Sequence, residues 1–547
     1  PRYISGSILT HAPRTDVVYQ TIDQVRVNLE KAHDLWASSD IIILIAGMIV
    51  PGKYLGGTPI SIREAKQFFS GSRIDEIPKL LVGPWARFGC GLEGGHLALS
   101  SAVLSPPFTD IVTGDAEVVI GELVKNDWNL SSVNLNATRQ SAQEIEEYVM
   151  RGTSLVTQFP GFSKGYIICE IETYRGCPRF FTGGCSFCTE PLYGIPQVRR
   201  PNDIIKEIES LYAYGVRAFR IGRQADLFTY GSKEMGDEEF PTPNPSVVLE
   251  LFSGIRQVAP QLNVLHIDNV NPGTIAHHQK ESREVAKIIM KYHTPGDVAA
   301  FGVESLDPEV RKRNNLKVSE DEAYTAVRIL NEVGAIRPKW GLPHLLPGIN
   351  LLYGLDGERK QTVDYNMEFL QRLVDDGLMV RRINVRQVIG FPNTTLDKKK
   401  PKKLKRNLFF KHKEEIREKI DKVMIERVAP SGTVIESLFV EKDRGKSVLL
   451  RPLGTYPLQC QMPTSDEDME PTFDVVVTQH GPRSLTVLPY PLPVNDMSLS
   501  QWRVIPGLGS KLAARIKGEG RIESEEHLER IIEKELPSWI KHKLTFR

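Results

Sequence analysis

Cysteine is scarce in this chain: six residues in 547. Clustered rather than spread in pairs, they argue against the disulfide framework of a secreted protein and fit a reducing cytosol, so a cytoplasmic location is expected. Long apolar runs are also missing. The longest, "IIILIAGMIV" from Ile41 to Val50, is too short to cross a bilayer and reads as a buried strand, so no membrane partner is expected. No secretory signal is legible, although a chain that starts at Pro1 is expected to lack residues before it. Neither sign of charge prevails, with 69 Lys and Arg against 68 Asp and Glu, so net charge singles out no partner. At 41% hydrophobic and 25% charged residues the composition is neither disordered, fibrous nor membrane-like. The length exceeds what one core supports, and ~3–4 domains are expected.

What is present is concentrated. The stretch "RGCPRFFTGGCSFCTEP", residues 175 to 191, holds Cys177, Cys185 and Cys188, half of all the cysteines. A disulfide would use two thiols and leave the third in a Gly-rich loop. Zinc needs a fourth ligand, and neither His nor Cys follows within the next 70 residues. A cubane iron–sulfur cluster held by three thiolates leaves one iron open to a small molecule with amino and carboxylate groups, and Gly176, Gly183 and Gly184 let the chain wrap it closely. Cys90, Cys169 and Cys460 read as small buried hydrophobes.

The cysteines follow a strand, "GYIICEIETY" (165–174), and strands then alternate with helices as in a parallel sheet with crossover helices. Further strands are expected at 216–222, from Asn263, from Val298, from Lys339 ("KWGLPHLLPG") and from Arg381 ("RRINVRQVIG"). A helix in "PNDIIKEIESLYAYGV" places Ile204, Ile205, Ile208 and Leu211 on one face, with Asn202 as N-cap. Ser319 and Glu322 stand at capping-box spacing before a helix that turns Ala326, Ile329 and Leu330 inward.

Three cysteines behind a strand, an aromatic Phe187 just before the last, and six strands downstream resemble the radical S-adenosylmethionine (radical SAM) superfamily. Its usual spacing is C-x3-C-x2-C, whereas this chain has C-x7-C-x2-C. The resemblance implies a partial (β/α)6 barrel, a 4Fe-4S cluster on Cys177, Cys185 and Cys188, and S-adenosylmethionine (SAM) with Phe187 near its adenine. It also implies reductive cleavage of SAM to methionine and a 5′-deoxyadenosyl radical that abstracts hydrogen. "GVESLDPEVRKRNNLKVS" resembles the family stretch in which an acid and a serine meet SAM. Glu304 would then bind the ribose hydroxyls, with Ser305 beside it; the alternative is a strand-end acid capping the next helix. Where the family often has a Gly-Gly-Glu run, this chain has Gly222, Arg223 and Gln224, with Asp226 as a substitute acid. Asp268, Asn269 and Asn271 would face the barrel mouth, or serve as turn-forming Asx residues.

The flanks complete an α/β multidomain reading. Residues 1–130 are expected as a Rossmann-like domain whose strands lie in "IIILIAGM", "KLLVGP" and "DIVTGDAEVVIGELV", with a first strand upstream of Pro1. Its Gly-Asp-Ala-Glu run at 114–117 is similar to a turn of cobalamin-binding radical SAM proteins, which adds cobalamin as a third candidate cofactor; a degenerate sheet that shields the barrel is the alternative. A linker (131–160), the radical SAM barrel (161–396) and a basic linker and helix (397–427) follow. A small β-barrel at 428–495 resembles the TRAM domain, of OB-like type, in tRNA methylthiotransferases. Residues 496–547 resemble a helix-hairpin-helix, in which Gly507 and Gly509 form a phosphate-receiving turn and Lys511 and Arg515 add positive charge.

The expected activity is methyl or methylthio transfer to a carbon of a tRNA nucleoside, with a ferredoxin or flavodoxin as electron donor. Two alternatives stay open. One is a cobalamin-dependent radical SAM methylase of a lipid or small metabolite. The other is a non-catalytic iron–sulfur protein that binds nucleic acid. The layout is similar to that of archaeal radical SAM proteins ending in a helix-hairpin-helix.

Overall fold

The computed structural model describes residues 1–47, 57–91, 93–399, 406–464 and 470–546. Near the N-terminus, strands β1 (Ile42–Ile45), β2 (Lys79–Val82) and β3 (Asp110–Ile111) form a parallel sheet in that order. Alternation along β2 sends Leu81 to one face, with Ala65, Phe69 and Trp85, and Leu80 and Val82 to the other, with Ile4, Ile8 and Ile120. Helices therefore cover both faces. Two expectations shift here. β1 is only half buried, with Ile45 38% exposed, and the end of its apolar run, 48–50, lies outside the described residues. The stretch 110–124 divides: only Asp110–Ile111 is strand, while Ala116–Lys125 is a helix, because Val119, Ile120, Leu123 and Val124 fall on one buried helical face. Residues 131–160, expected as a linker, include a helix Glu146–Arg151 with Val149 buried.

The central body is built from β4 (Cys169–Glu172), β5 (Ala218–Gly222), β6 (Val264–Ile267), β7 (Asn269–Val270), β8 (Asp297–Glu304), β9 (Leu345–Tyr353) and β10 (Arg382–Gln387). β4-β5-β6 and β7-β8-β9-β10 are each parallel and in sequence order. The chain passes from β6 to β7 through the single residue Asp268, so the two sheets continue one another as a six-unit open barrel. The fifth unit begins at Leu345 rather than Lys339, past Gly341 and Pro343, which suit a turn better than a ladder. The helix expected from Asn202 starts at Pro201, with Arg200 as N-cap; proline at the first helical position displaces the asparagine from the cap. Ile204, Ile208 and Leu211 are fully buried as expected, and Ser319 and Glu322 form the capping box.

Helical residues Arg406–Val428 lead to a closed five-stranded barrel. Its strands are β11 (Val434–Asp443), β12 (Ser447–Pro452), β13 (Gln459–Pro463), β14 (Thr472–His480) and β15 (Ser484–Pro489), in the ring order β11-β12-β13-β15-β14. β13 and β15 pair in parallel and the other neighbours antiparallel. The segment between β12 and β13 reaches into the central body. Thr455 donates its backbone N–H to His266 Nδ1 at 3.2 Å and its hydroxyl to the Ile267 carbonyl at 3.1 Å. Gly454 permits this approach, since a Cβ there would stand 3.2 Å from the His266 ring. At the C-terminus, helices Leu499–Arg503 and Ser510–Gly518 flank a turn at Gly507 (φ +84°). Among the described residues, no helix is long and apolar enough to cross a membrane.

Candidate functional site

The C-terminal ends of the central strands open onto a cavity of about 230 Å³. Active sites of parallel βα barrels collect at this end, where the loops leave the strands. Cys177, Cys185 and Cys188 all line it, with Phe187 between the last two. The loop carrying them is short and closely tied. Phe180 N–H donates to the Cys177 carbonyl and Cys188 N–H to the Cys185 carbonyl, each at 3.0 Å. Gly183 and Gly184 take φ of +81° and +60°, and a Cβ on Gly184 would stand 2.3 Å from Pro191 Cγ, so only glycine fits there.

The long gap between the first two cysteines is clamped from outside. Asn315, itself at φ +54°, donates its amide to the carbonyls of Thr182 (3.1 Å) and Gly184 (2.7 Å). Ser186 donates its hydroxyl to Asn314 Oδ1 at 2.7 Å and its N–H to the Asn314 carbonyl at 3.0 Å. Arg179, inside the gap, lies 3.5 Å from Cys185 Sγ and donates to the Asn315 carbonyl at 2.8 Å. Tyr174, just ahead of the loop, is fully buried and exchanges hydrogen bonds at 2.7 Å with both the N–H and the carbonyl of Asp226. The cysteine loop is thereby locked to the end of β5.

Burial raises the pKa of all three thiols. Desolvation is the largest cause, and neighbouring thiols add to the rise at Cys177, which is pushed up to about 12, and at Cys188. Such a set ionises only beside strong positive charge, which a metal supplies. Among the described residues no three His, Cys, Asp or Glu side chains stand close enough to share one ion. Three thiols spaced around one cavity instead suit a cluster, whose irons stand apart. A 4Fe-4S cluster on three thiolates supplies one-electron reduction of a molecule bound at its remaining iron.

Opposite the thiols, Glu304 ends β8 at a register shift and holds φ +65°, a conformation that costs a non-glycine residue about 1 kcal/mol or more. Burial holds its carboxyl up at about 8, against the positive charge of Arg386, which lowers it. Asp226 also lines the cavity, held by Thr274 Oγ1 at 2.7 Å, with burial keeping its carboxyl near 6. Asn269 and Asn271 line it too; Asn269 donates to the Gln224 carbonyl at 3.3 Å, and Asn271 Oδ1 caps the next helix by accepting from Gly273 N–H. Several expected residues stand outside its wall. Ser305 is fully buried, with Oγ accepting from Asp307 N–H. Gln224 is buried against Thr173 and the Ile221 carbonyl. Arg223 faces Glu172 at 3.9 Å, and Gly222 makes room for Glu170. Asp268 turns toward a second chamber, where Tyr456 donates to it at 2.8 Å. Glu190, Glu239 and Asn350 line the cavity without having been singled out in the sequence. Asn350 alone carried a signal, as a polar residue within an apolar strand.

A family model described as the radical SAM superfamily matches residues 171–353, which run from β4 to the end of β9. The chain belongs to the radical SAM superfamily. A radical SAM protein carries a 4Fe-4S cluster and SAM, and the three-thiol cavity with a facing carboxylate and the aromatic Phe187 fits both. An uncharacterized protein of Methanocaldococcus jannaschii is 44% identical over 497 residues, covering 89% of this chain and 88% of its own. One of Archaeoglobus fulgidus is 37% identical, covering 99% and 94%. Among solved structures, the radical SAM methyltransferase TsrM of Kitasatospora setae, with tryptophan and a SAM analogue, is 14% identical over 72% of each chain, at a TM-score of 0.45. The cobalamin-dependent radical SAM enzyme OxsB is 10% identical, covering 76% of this chain and 61% of its own, at a TM-score of 0.37.

The Gly-Asp-Ala-Glu run joins the N-terminal sheet to this radical SAM body. Asp115 is buried and accepts from Arg87 (2.9 Å), Arg175 (2.6 Å) and the Arg139 N–H (2.9 Å), while Arg139 also pairs with Glu172 at the end of β4. Arg175 stands two residues before Cys177, the first of the three cavity cysteines, so the N-terminal domain helps fix the loop that carries it.

Proposed function

We propose that this radical SAM enzyme modifies RNA, with tRNA as the substrate class, by methyl or methylthio transfer to a nucleoside carbon. The observation that carries this reading is the docking of the five-stranded barrel, through Gly454–Tyr456, directly onto the radical SAM body. Five-stranded barrels of the OB type bind single-stranded nucleic acid on an open face, and here such a barrel packs with Phe439 and Leu453 against Ile168, Ala218 and Val264 of the radical SAM body. The C-terminal hairpin adds support: Leu508, Ala513 and Ile516 are buried while Lys511 is exposed and Gly509 caps the second helix. Arg515 is held by Glu533 at 2.6 Å, which leaves Lys511 as the better phosphate contact of the two. A ferredoxin or flavodoxin serves as electron donor.

Nucleoside mass spectrometry of tRNA from a deletion strain tests the reading. Loss of one methylated or methylthiolated nucleoside is expected, and an unchanged profile refutes it. Bound corrinoid in anaerobically purified protein, with full activity after removal of residues 496–547, would favour the methylase of a lipid or small metabolite. Failure to cleave SAM after reduction, with RNA present, would favour the non-catalytic protein.

A further inference from the structure

A second chamber, of about 620 Å³, lies between the radical SAM body and the five-stranded barrel. It falls within the range of small-molecule sites, and its lining is strongly one-sided in charge. Seven arginines contribute against two carboxylates, Asp268 and Asp421. The central body provides Arg220, Arg381, Arg382 and Arg386; Arg417, Arg451 and Arg483 come from the segment and barrel that follow.

Most of these cations have a carboxylate of their own. Arg220 is held by Glu170 at 2.7 Å, Arg451 by Glu441 at 2.7 Å, Arg417 by Glu414 at 3.1 Å and Arg483 by Asp421 at 3.4 Å. Arg381 and Arg382 differ. Among the described residues, no carboxylate stands within 4.0 Å of either. Arg381 donates to the Tyr456 carbonyl at 3.1 Å, and the Arg382 guanidinium lies 4.2 Å from the centre of the Tyr456 ring. Among the described residues, the buried Nε of Arg381 and that of Arg417 have no hydrogen-bond partner. Burial, and the positive charge of neighbouring arginines, lower both Arg381 and Arg382 to about 10. Adjacent guanidinium groups without carboxylates are costly to hold together unless an anion completes them.

Side chains of β10 bridge the chamber and the reaction cavity. Arg382, Asn384 and Arg386 share one face of β10, and Asn384 donates to Asn350 Oδ1 at 3.1 Å. Asn350 lines the cavity of Glu304, and Arg386 is the charge felt by Glu304. Arg386 lies four residue steps along the strand from Arg382, about 13 Å.

We propose that this chamber is a phosphate-binding site, in which Arg381 and Arg382 hold a phosphoryl group of the substrate while its reacting carbon lies in the Glu304 cavity. The guanidinium fork matches phosphate oxygens in geometry, and the surrounding arginines raise the local potential. The phosphate assignment stands on the chamber itself; that the phosphate belongs to RNA rests on the function proposed above.

Titration calorimetry on the full-length, anaerobically reconstituted protein separates the two. Pyrophosphate and a tRNA anticodon stem-loop are the two probes. Wild type is expected to bind pyrophosphate, with affinity falling as salt rises, and the Arg381→Gln/Arg382→Gln pair to lose at least tenfold. Lys280→Gln, at an exposed position on a helix of the central body, leaves pyrophosphate binding unchanged. The pair Arg381→Lys/Arg382→Lys keeps the charge, loses the fork, and is expected to bind pyrophosphate several-fold more weakly; it decides the matter if the glutamine pair does not fold. Parallel loss of stem-loop affinity in the same variants supports both readings. Pyrophosphate binding that depends on these arginines, with no stem-loop binding, supports the chamber with a small phosphorylated substrate and refutes RNA. Absent pyrophosphate binding in wild type, or equal binding in the lysine pair, overturns the proposal.

Discussion

Glu304→Gln changes one atom's chemistry at nearly constant volume, and its two expected effects have opposite signs. In the SAM-free protein the carboxyl has no hydrogen-bond donor among the described residues, and its pKa is raised from 4.5 to about 8. A raised carboxyl pKa means the folded state binds the proton more tightly than the unfolded chain. Stability from this group is therefore fully present below 4.5 and is lost as pH rises towards 8. At about 1.36 kcal/mol per pH unit, the loss by pH 7 is about 2 kcal/mol after allowance for partial exposure. Glutamine cannot ionise and escapes that loss, so Glu304→Gln is expected to raise the stability of the SAM-free protein at pH 7, with little change at pH 4.5. Binding moves the other way. A carboxylate accepting from two ribose hydroxyls makes charge-assisted bonds, and replacing it with an amide weakens them by about 1–2 kcal/mol, about 5–30-fold in SAM affinity. Scanning calorimetry reads the first effect and anaerobic titration with SAM the second. Unchanged SAM affinity in Glu304→Gln, or a loss of stability at pH 7, would refute the assignment of this residue.

Two further substitutions test the frame around the cavity. Asp115→Ala leaves the guanidinium groups of Arg175 and Arg87 and the backbone N–H of Arg139 without their shared acceptor and is expected to cost about 3–5 kcal/mol, read as a lower unfolding midpoint together with poorer iron loading; a midpoint within 1 °C of wild type would show that the domain junction lies elsewhere. Asn315→Ala removes two hydrogen bonds to the cysteine gap and puts at φ +54° a residue that tolerates this region less well than asparagine, so faster iron release in a chelator challenge is expected, with Asn315→Gly close behind because it relieves only the backbone. Wild-type retention in both would mean that the gap does not need its clamp.

Much of the fold was legible because its signals are local. Apolar runs bounded by turns placed the strands around Ile171, Ile221 and Phe301, and a single serine–glutamate pair placed the helix after Ser319. Local competition explains the misplacements: Pro201 took the first helical position from the neighbourhood of Asn202, and Gly341 with Pro343 delayed the fifth strand to Leu345. The cysteine triad was legible because its three thiols lie in one loop behind a strand, even though their spacing departs from the usual one. Glu190, Glu239 and Asn350 were not, because they reach the cavity from separate loops and strands. The arginine chamber was hidden for the same reason. Arg381 and Arg382 read as the start of a strand, and only the approach of Tyr456 from the next domain shows that they face a shared volume.

The central claim is that Cys177, Cys185 and Cys188 together hold the cluster at which SAM is cleaved. Anaerobic reconstitution with iron and sulfide, followed by iron quantification and a SAM-cleavage assay, tests it on six single alanine variants. Replacing any of Cys177, Cys185 or Cys188 is expected to abolish both iron loading and SAM cleavage, while variants of the buried Cys90, Cys169 and Cys460 keep both. Full iron and cleavage in any one of the first three, or their loss in a folded variant of the last three, would contradict the account.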